Sequence, residues 1–421
     1  MAGNNSALLP SFTSLVAHLH TLLNDIEREV VTNIDSRDPS LVSSSQAAPS
    51  SGSLLRAYRK FGQLCDKLAS YAADPSEHIT TIGGAFHESN ALQVVSELGV
   101  ADALGAQQVS LSELAHKVDA DPTRLRQCMR TLVNRGLFRE TTFGSDMFAN
   151  NRMSSILLSA HEKNLHGFVG HWCDDAYHAG VHIVPAVKTE GASKTPFEIL
   201  RGTSIWEYYQ TPDGTAARER LNRAMIGAEP LLHGSLIYGY DWTKHGEEIT
   251  IIDVGGGIGG AGIEFTRRFP KIKVIIQDRA SVLEAAPKFW DEHAPECKPR
   301  VTFMPHDFFT PQPAIDCHGG RIYFMRFILH DWSDDDCVRI LQFICSAMKE
   351  ISDSRLYIAE AILDADSDRF KYMVSMQMMT LVGAMERTES EFEGILGKAG
   401  LKVENIWRNP GFTSLIECTI A

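Results

Sequence analysis

The sequence lacks a long apolar run. In its 421 residues no segment approaches the about 20 consecutive apolar residues that a membrane-spanning helix needs. The first residues, MAGNNSALLPSFTSLVAHLHTLL, also lack the basic start and the compact apolar core of a secretion signal. We therefore expect a cytoplasmic protein that has no membrane partner.

Paired cysteines and an excess of basic charge are missing as well. The eight cysteines are scattered, with no CxxC pair and no zinc-finger spacing to histidine, which favours reduced thiols over disulfides or structural zinc. The net charge of -13 would repel nucleic acid unless the protein carried a local basic face. We therefore expect no nucleic-acid partner.

Periodicity and composition divide the chain into four regions. Apolar spacing predicts helices over 12–32 and 54–72, joined by a linker over 34–53 that is rich in Ser, Pro and Ala. Three further regions follow this helical N-terminus: a winged-helix module, a helical substrate-lining region and a catalytic domain of alternating strands and helices. The predicted boundaries are 1–75, 76–150, 151–245 and 246–421.

The second region has the pattern of a winged helix. Its third helix begins with Asp121 as the N-cap and Pro122 at the first helical position, and ends at Gly136. The segment FRETTFGSDMFAN then predicts a short two-stranded wing. A DNA-binding role and a dimerisation role both remain open, since the third helix carries Arg124, Arg126, Arg130 and Arg135.

The C-terminal region predicts an α/β fold with a Rossmann-like, doubly wound sheet. Its continuous apolar runs are ITIIDV, IKVIIQ, VTFM, RIYFMRFIL and RLYIAEA, with helices between them at 260–269, 281–294 and 334–349. Strands that are apolar on both faces and alternate with helices are typical of a parallel sheet covered on both sides. KVENIWRN and TSLIECTIA predict a closing hairpin.

A glycine-rich turn follows the first of these strands in ITIIDVGGGIGG. Gly255, Gly257 and Gly260 fit G-x-G-x-x-G, and Asp278 lies 23 residues after Gly255, where a carboxylate can accept hydrogen bonds from ribose hydroxyls. This pattern fits a nicotinamide cofactor as well as S-adenosylmethionine.

Asp253 favours the second cofactor. A carboxylate inside the end of a buried strand is costly unless a cationic group lies beside it. The amino group of a methionine moiety would satisfy it, whereas a pyrophosphate would be repelled. A turn-capping role for Asp253 is the structural alternative.

Asp307 and Phe308 follow the third strand. Asp307 could accept a hydrogen bond from an adenine amino group while Phe308 packs against the base. The alternative is ordinary turn chemistry, because Asp is common directly after a strand.

His330 follows the fourth strand, together with Asp331. The carboxyl ends of parallel strands are where open α/β sheets bind ligands. Glu360 ends the next strand and should approach His330, where a carboxylate on one imidazole nitrogen raises the basicity of the other. Glu386 is a second candidate partner, with helix capping as its alternative.

The predicted reaction is general base catalysis. His330 would remove the proton of a substrate hydroxyl while the oxygen attacks a sulfonium methyl group. We expect no metal, because no cluster of acidic residues and histidines is evident, and the acids of DWSDDD suit a solvated helix start.

The motifs DVGGGIGG, LHDWSD, AEAIL and MERTESEF, in this order, resemble those of the caffeic-acid and flavonoid type O-methyltransferases of plants and fungi. The resemblance extends from about residue 88 to the end of the chain. It implies a class I, S-adenosylmethionine-dependent small-molecule O-methyltransferase that releases S-adenosylhomocysteine. It also implies that the winged-helix module forms a homodimer, and that the enzyme belongs to secondary metabolism.

The resemblance assigns residues to the site. It implies His330 as the general base, flanked by Glu360 and Glu386. Around the cofactor it implies Gly255, Asp278, Asp307, Phe308 and Arg326, where Arg326 replaces the family's usual lysine. For the substrate it implies Met225 in LNRAM, and we predict further substrate contacts from Asp331 and Trp172.

Three other functions stay open at this point. Similar sequences include pericyclase-like proteins that bind the cofactor as a positive charge without transferring its methyl group. A cofactor-sensing DNA-binding regulator would use the winged helix. A nicotinamide-dependent dehydrogenase would use the glycine-rich turn, although Asp253 argues against it.

Overall fold

The computed structural model describes residues 12–34, 52–161, 164–191, 193–232, 236–246, 248–315, 320–351, 354–365, 367–408 and 411–421. These form two compact units, one comprising Met1–Val181 with Trp206–Pro230 and the other His182–Ile205 with Leu231–Ala421. The linker predicted over 34–53 lies almost wholly outside the described residues. The four-part division of the chain stays a prediction.

The α-helices are α1 (Phe12–Ile34), α2 (Gly52–Ala72), α3 (Pro75–Gly84), α4 (Phe86–Glu97), α5 (Val100–Leu104), α6 (Leu111–Lys117), α7 (Pro122–Asn134), α8 (His166–Gly170), α9 (Tyr177–Gly180), α10 (Ile183–Val187), α11 (Pro196–Arg201), α12 (Ile205–Tyr208), α13 (Thr215–Leu232), α14 (Leu236–Gly239), α15 (Gly260–Arg268), α16 (Ala280–Leu283), α17 (Ala286–His293), α18 (Asp334–Lys349), α19 (Arg369–Leu381) and α20 (Glu389–Lys398). The strands are β1 (Val109–Ser110), β2 (Arg139–Glu140), β3 (Met147–Ala149), β4 (Ile249–Val254), β5 (Lys273–Asp278), β6 (Val301–Pro305), β7 (Gly320–Arg326), β8 (Arg355–Glu360), β9 (Ile362–Leu363), β10 (Arg387–Thr388), β11 (Leu401–Trp407) and β12 (Ser414–Ile420). No helix within the described ranges is long and apolar enough to cross a bilayer.

The first unit is mostly helical and contains a small sheet in the order β1-β3-β2. Helix α7 begins as predicted, because the Asp121 side chain accepts a hydrogen bond from the Arg124 amide at 2.9 Å and Pro122 opens the helix. Strands β2 and β3 pair antiparallel where the wing is predicted. The apolar face of α7 packs into the core of this unit through Leu125, Met129 and Leu132.

The arginines of α7 and its C-terminal end are largely neutralised by acids of the same unit. Arg126 binds Asp146 at 2.8 Å and Arg130 binds Glu140 at 2.9 Å. The arginine that follows the helix also pairs, since Arg135 lies 3.1 Å from a Glu88 carboxylate oxygen. These ion pairs remove most of the basic face on which the DNA-binding alternative depends.

The second unit contains a seven-stranded sheet in the order β11-β12-β8-β7-β4-β5-β6. Neighbours from β8 to β6 in this order run parallel, and the closing strands β12 and β11 are antiparallel. This confirms the predicted doubly wound sheet and its closing hairpin.

Burial of both faces explains the continuous apolar runs. Ile252 and Val254 of β4 belong to a core that includes α18 and α20, while Ile249 and Ile251 belong to a second core with α15 and α17. Successive side chains of a strand point to opposite faces, so neither face of the sheet can be polar.

The order of strands reverses at β4. Strands β5 and β6 extend the sheet on one side and β7 and β8 on the other. The loops after β4 and β7 therefore flank the switch point at which open α/β sheets bind ligands.

The predicted end of the fourth strand is wrong. Strand β7 ends at Arg326 rather than at Leu329. Phe327 has a φ of 54°, and His330 lies in a 3-10 turn formed by Leu329–Asp331. We call Phe327–Trp332 the His330 turn.

Candidate active site

The glycine-rich turn curls over the end of β5. The amides of Gly255 and Gly256 donate to the Gln277 carbonyl oxygen at 2.8 and 3.0 Å. The Gly257 amide donates to Asp278 Oδ2 at 2.8 Å. Gly257 has a φ of 60°, and a Cβ there would meet no heavy atom within 4 Å. The turn thus leaves an open cradle beside a carboxylate, which fits a ribose with two hydroxyl donors.

Gly255 is required by close packing. Its φ is 73°, and a Cβ at this position would collide with Ile328 and approach the Phe308 ring at 3.5 Å. The glycine lets the His330 turn and Phe308 come close to the end of β4.

Asp253 lies beneath the glycine-rich turn. The residue is 1% exposed, and its Oδ2 has no hydrogen-bond partner among the described residues. Burial raises the pKa of this carboxyl to about 7, against the opposing effect of the positive charge of Arg326. Arg326 in turn donates to Glu264 at 3.1 Å, so two acids share one arginine. The surplus negative charge fits a cationic group of a ligand.

Asp278 and Asp307 both bind backbone amides. Asp278 accepts from the Arg279 amide at 2.7 Å in addition to Gly257, and burial raises its pKa. Asp307 accepts from the Phe309 amide at 3.0 Å, which is the turn chemistry named as its alternative. Phe308 packs against Trp332 with ring centroids 5.7 Å apart.

The structure brings the predicted catalytic residues together. His330 Nδ1 lies 2.7 Å from Glu386 Oε1 and 3.9 Å from Glu360 Oε2. His330 Nε2 lies 3.7 Å from Asp331 Oδ1. The His330 side chain is 11% exposed, and its ring stacks on Phe327.

Both glutamates flank His330 as predicted, and the geometry gives them different roles. Glu386 does not cap a helix, because Thr388 caps α20 and forms a capping box with Glu391. Glu386 makes the direct hydrogen bond to the imidazole that we expected of Glu360. Glu360 is fully buried, and its Oε1 accepts from the amides of Ile328 and Leu329, both at 2.9 Å. It therefore holds the backbone of the His330 turn.

These carboxylates determine the charge of the imidazole. Burial alone lowers the pKa of His330, but the negative charges of Glu386, Glu360 and Asp331 outweigh it and raise the pKa to about 10. Burial also raises the pKa of Glu360 to about 7, although the neighbouring His330 opposes this. The three carboxylates therefore favour the protonated imidazole and make His330 a stronger base than a free histidine.

The expectation that the chain has no cluster of acids and histidine was wrong. One ligand atom from each of His330, Glu360 and Glu386 lies within 4.8 Å of the others, a spacing that could hold a metal ion. However, two ligands of one ion at the usual bond lengths of about 2.0–2.2 Å stand about 3 Å apart or more. The 2.7 Å between His330 and Glu386 is a hydrogen-bond distance instead.

Met225 and Trp172, the two remaining predicted substrate contacts, belong to the first unit. Met225 lies on α13 and is 41% exposed. Trp172 stacks on Phe168 at 5.5 Å, within a π-helical turn formed by His171–Ala176. Such turns are rare and often accompany functional sites.

Two residues of the site were missed by the sequence analysis. Arg387 donates to the carbonyl oxygens of Leu329 and Trp332, and Phe327 has its unusual backbone conformation and stacks on His330. The available signal for Arg387 was its position directly after Glu386, whereas nothing in the sequence marks Phe327.

The fold agrees with comparisons to known proteins. A family model described as the O-methyltransferase domain matches residues 181–402, and one described as the O-methyltransferase dimerisation domain matches residues 80–160. The first match covers more than half of the chain. The chain therefore belongs to this family of S-adenosylmethionine-dependent small-molecule O-methyltransferases.

Relatives of this chain include enzymes of secondary metabolism. It is similar to the O-methyltransferase tpcA of Aspergillus fumigatus, with 30% identity over 84% of this chain and 85% of that protein. It is 32% identical to the mitomycin biosynthesis 6-O-methyltransferase of Streptomyces lavendulae, over 75% of this chain and 86% of that protein. The solved structure of the mitomycin 7-O-methyltransferase MmcR matches with a TM-score of 0.70 and 29% identity, over 84% of this chain and 99% of that one.

Proposed function

We propose that this enzyme methylates a hydroxyl group of an aromatic or polyketide-like secondary metabolite and that His330 is its general base. The observation that carries this proposal is the 2.7 Å hydrogen bond between His330 Nδ1 and Glu386. It engages one imidazole nitrogen and leaves Nε2 to accept a proton, at the switch point of the sheet.

We propose that the end of β4 and the turn after it hold the cofactor. Asp253, with its unpartnered buried oxygen, would face the methionine amino group, and Arg326 would limit the accumulated negative charge. Gly255 and Gly257 would let the backbone approach the ligand, and Asp278 would accept from the ribose hydroxyls. Phe308 would pack against the adenine, with Asp307 at its edge.

Residues of this protein accept and stabilise the proton of the acceptor hydroxyl. Bound S-adenosylmethionine supplies an electrophilic methyl group on a positively charged sulfur. His330 Nε2 accepts the proton of the acceptor hydroxyl, so the oxygen gains nucleophilicity as it takes the methyl group. Glu386 stabilises the imidazolium that forms, while Glu360 keeps the turn in position. Asp331 would contact the acceptor, because its carboxylate lies beside Nε2.

Two observations support an aromatic acceptor from secondary metabolism. Phe327 stacks on His330 with ring centroids 5.2 Å apart, and the buried Phe412 lies 6.0 Å behind Phe327, so one flat apolar ring adjoins the base. Two similar proteins are O-methyltransferases of mitomycin or its biosynthesis, which supports an acceptor from secondary metabolism. We further propose substrate contacts from Met225 and Trp172.

The proposed function is tested by incubating the enzyme with S-adenosylmethionine and a panel of phenolic and polyketide acceptors. We expect S-adenosylhomocysteine and a methylated product in equal amounts, with a rate that a chelating agent leaves unchanged. Consumption of an acceptor without formation of S-adenosylhomocysteine would contradict methyl transfer and support the pericyclase-like reaction.

The second proposal concerns assembly. The match of residues 80–160 to a dimerisation domain supports a homodimer. Size-exclusion chromatography with light scattering should give twice the chain mass of 46.6 kDa, and a monomer at micromolar concentration would contradict it.

Replacing Asp253 with Asn should remove a pH dependence from cofactor binding. A cationic ligand group requires the ionised carboxylate, and the pKa of about 7 means that Asp253 is protonated in the free enzyme at lower pH. Affinity for S-adenosylhomocysteine should therefore fall as the pH drops from 8 to 6, by up to about tenfold per pH unit below that pKa. In Asp253→Asn, the affinity for S-adenosylhomocysteine at pH 8 should fall by about tenfold or more. This affinity should then be independent of pH between pH 6 and pH 8.

Isothermal titration calorimetry at pH 6, 7 and 8 measures this effect. Asp291→Asn is a matched control, because Asp291 lies on the exposed part of α17 and pairs with Lys298. A variant at Asp253 that kept the wild-type pH dependence would remove Asp253 from the cofactor site.

A further inference from the structure

We propose that Arg387 is a positioning residue that holds the His330 turn in the geometry required for proton transfer. This inference rests on the proposed role of His330 as the general base. Arg387 does not touch the imidazole, so its effect passes through the backbone on which His330 is carried.

The His330 turn has a backbone that needs external support. Phe327 has a φ of 54°, in the left-handed region that bulky side chains rarely adopt. Such conformations persist only when the surrounding structure determines them, and they cluster at functional sites. The support must come from groups that bind the peptide units of this turn.

Glu360 and Arg387 supply that support, one as an acceptor for backbone amides and the other as a donor to backbone carbonyl oxygens. Glu360 accepts from the amides of Ile328 and Leu329, before His330 in the chain. Arg387 donates from Nη1 to the Leu329 carbonyl at 2.7 Å and from Nη2 to the Trp332 carbonyl at 2.8 Å. The carbonyl contacts lie on both sides of His330 along the chain, which limits rotation of the segment that carries it.

The guanidinium group is suited to this task. Arg387 is 1% exposed, and its charge is balanced by Asp334, whose carboxylate accepts from Nε at 2.9 Å. The planar group directs several donors along fixed directions, whereas a lysine ammonium is a compact charge on a flexible chain. Lysine could retain the charge at this position but not the three simultaneous contacts.

The residues that support the His330 turn are adjacent in the chain or the sheet to the residue that binds the imidazole. Arg387 directly follows Glu386, which binds His330 Nδ1. Arg387 also lies in β10, which pairs in parallel with β9 so that Arg387 stands opposite Ile362, two residues after Glu360. The pairing of β9 with β10 therefore helps to place Glu386, which binds the imidazole, and also Glu360 and Arg387, which hold the backbone of the His330 turn.

Positioning and electrostatic roles of Arg387 predict opposite changes. If Arg387 acted only by its positive charge, removal of that charge would raise the pKa of His330. If it positions the turn, its loss moves Nδ1 away from Glu386 and lowers the pKa of His330 towards the ordinary value. If Arg387 contributed only to global stability, its replacement would leave the pKa of His330 unchanged.

The experiment compares Arg387→Lys and Arg387→Met with wild type, each saturated with S-adenosylhomocysteine. The His330 imidazole is titrated by NMR on protein labelled at histidine Cε1, and its signal is assigned by its absence in His330→Asn. We expect the pKa of His330 to fall by about one unit or more in both variants, which is a tenfold change in proton affinity. An unchanged or higher pKa in Arg387→Met would overturn the proposal.

Two controls keep the test decisive. Arg408→Met removes an arginine that pairs with Asp364 and Glu389 at the surface, and it should change nothing. If both Arg387 variants fail to fold, Asp334→Glu keeps the negative charge and displaces the outer anchor alone, since Asp334 is 45% exposed. It should lower the pKa of His330 to a smaller extent, and no change would count against positioning.

Kinetics supply a second readout with any acceptor that the panel identifies. Arg387→Lys should lower kcat by about 10–100-fold with the KM for S-adenosylmethionine within about twofold, because misplacement of a catalytic group affects the chemical step. A change confined to KM would overturn the proposal. The NMR titration needs no acceptor, so the failure of methyl transfer and the failure of positioning are distinguishable.

Discussion

Replacing His330 with alanine should lower kcat by about 10²–10⁴-fold, the usual contribution of a general base. In the variant the acceptor hydroxyl must ionise without help. The residual rate should therefore rise about tenfold per pH unit until the acceptor itself is ionised. Affinity for S-adenosylhomocysteine should be unchanged, because the glycine-rich turn and Asp253 do not depend on the imidazole.

The measurement is the single-turnover rate with an acceptor from the panel, together with calorimetric binding of S-adenosylhomocysteine. Removal of the imidazole leaves Glu386 without its hydrogen bond, so thermal unfolding must be compared, and His330→Asn retains a polar side chain there. His293→Ala is the matched control on the exposed surface of α17. A His330→Ala enzyme within tenfold of the wild-type rate would rule out the base role.

Replacing Glu386 with glutamine should alter the pH profile of kcat as well as its height. The charge of Glu386 raises the pKa of His330, so its removal lowers that pKa. The reaction needs neutral His330, and wild-type kcat should therefore increase with pH through an alkaline titration. In Glu386→Gln this rising limb should move to lower pH, while the plateau falls by about tenfold or more because the base is weaker and less well oriented.

The profile of kcat against pH, measured with cofactor and acceptor saturating, reports the ionisation of the enzyme–substrate complex. Glu389→Gln provides the control, because Glu389 is nearby in sequence but pairs with Arg408 at the surface. A profile for Glu386→Gln that coincided with wild type would separate this glutamate from the titration of His330.

The strands and the glycine-rich turn were predictable because their signals are local. A run such as ITIIDV must be buried on both faces, and glycines directly after it permit the positive φ values observed at Gly255 and Gly257. The location of His330 near the end of a parallel strand followed from the same reasoning. The end of β7 was not predictable, because Phe327, Ile328 and Leu329 continue the apolar run although the backbone turns at Phe327.

The partners of His330 depended on contacts between distant segments. Glu360 and Glu386 were both plausible from their positions, yet hydrophobic periodicity cannot tell which carboxylate faces a ring and which faces backbone amides. Glu386 lies 56 residues from His330 in the chain, and its placement results from the pairing of β10 with β9. Arg387 has no sequence signature as a buried donor, because arginine is usually exposed.

The sequence by itself determined the sheet, the place of the glycine-rich turn and the residue types available for chemistry, since local periodicity and the backbone freedom of glycine specify these. Only the tertiary structure decided that Glu386 binds the imidazole, that Glu360 and Arg387 hold the His330 turn, and that Asp253 retains an unpartnered oxygen. The physical reason is that hydrogen-bond partners and burial depend on how separate segments pack, and that packing is not encoded in any single stretch of the chain.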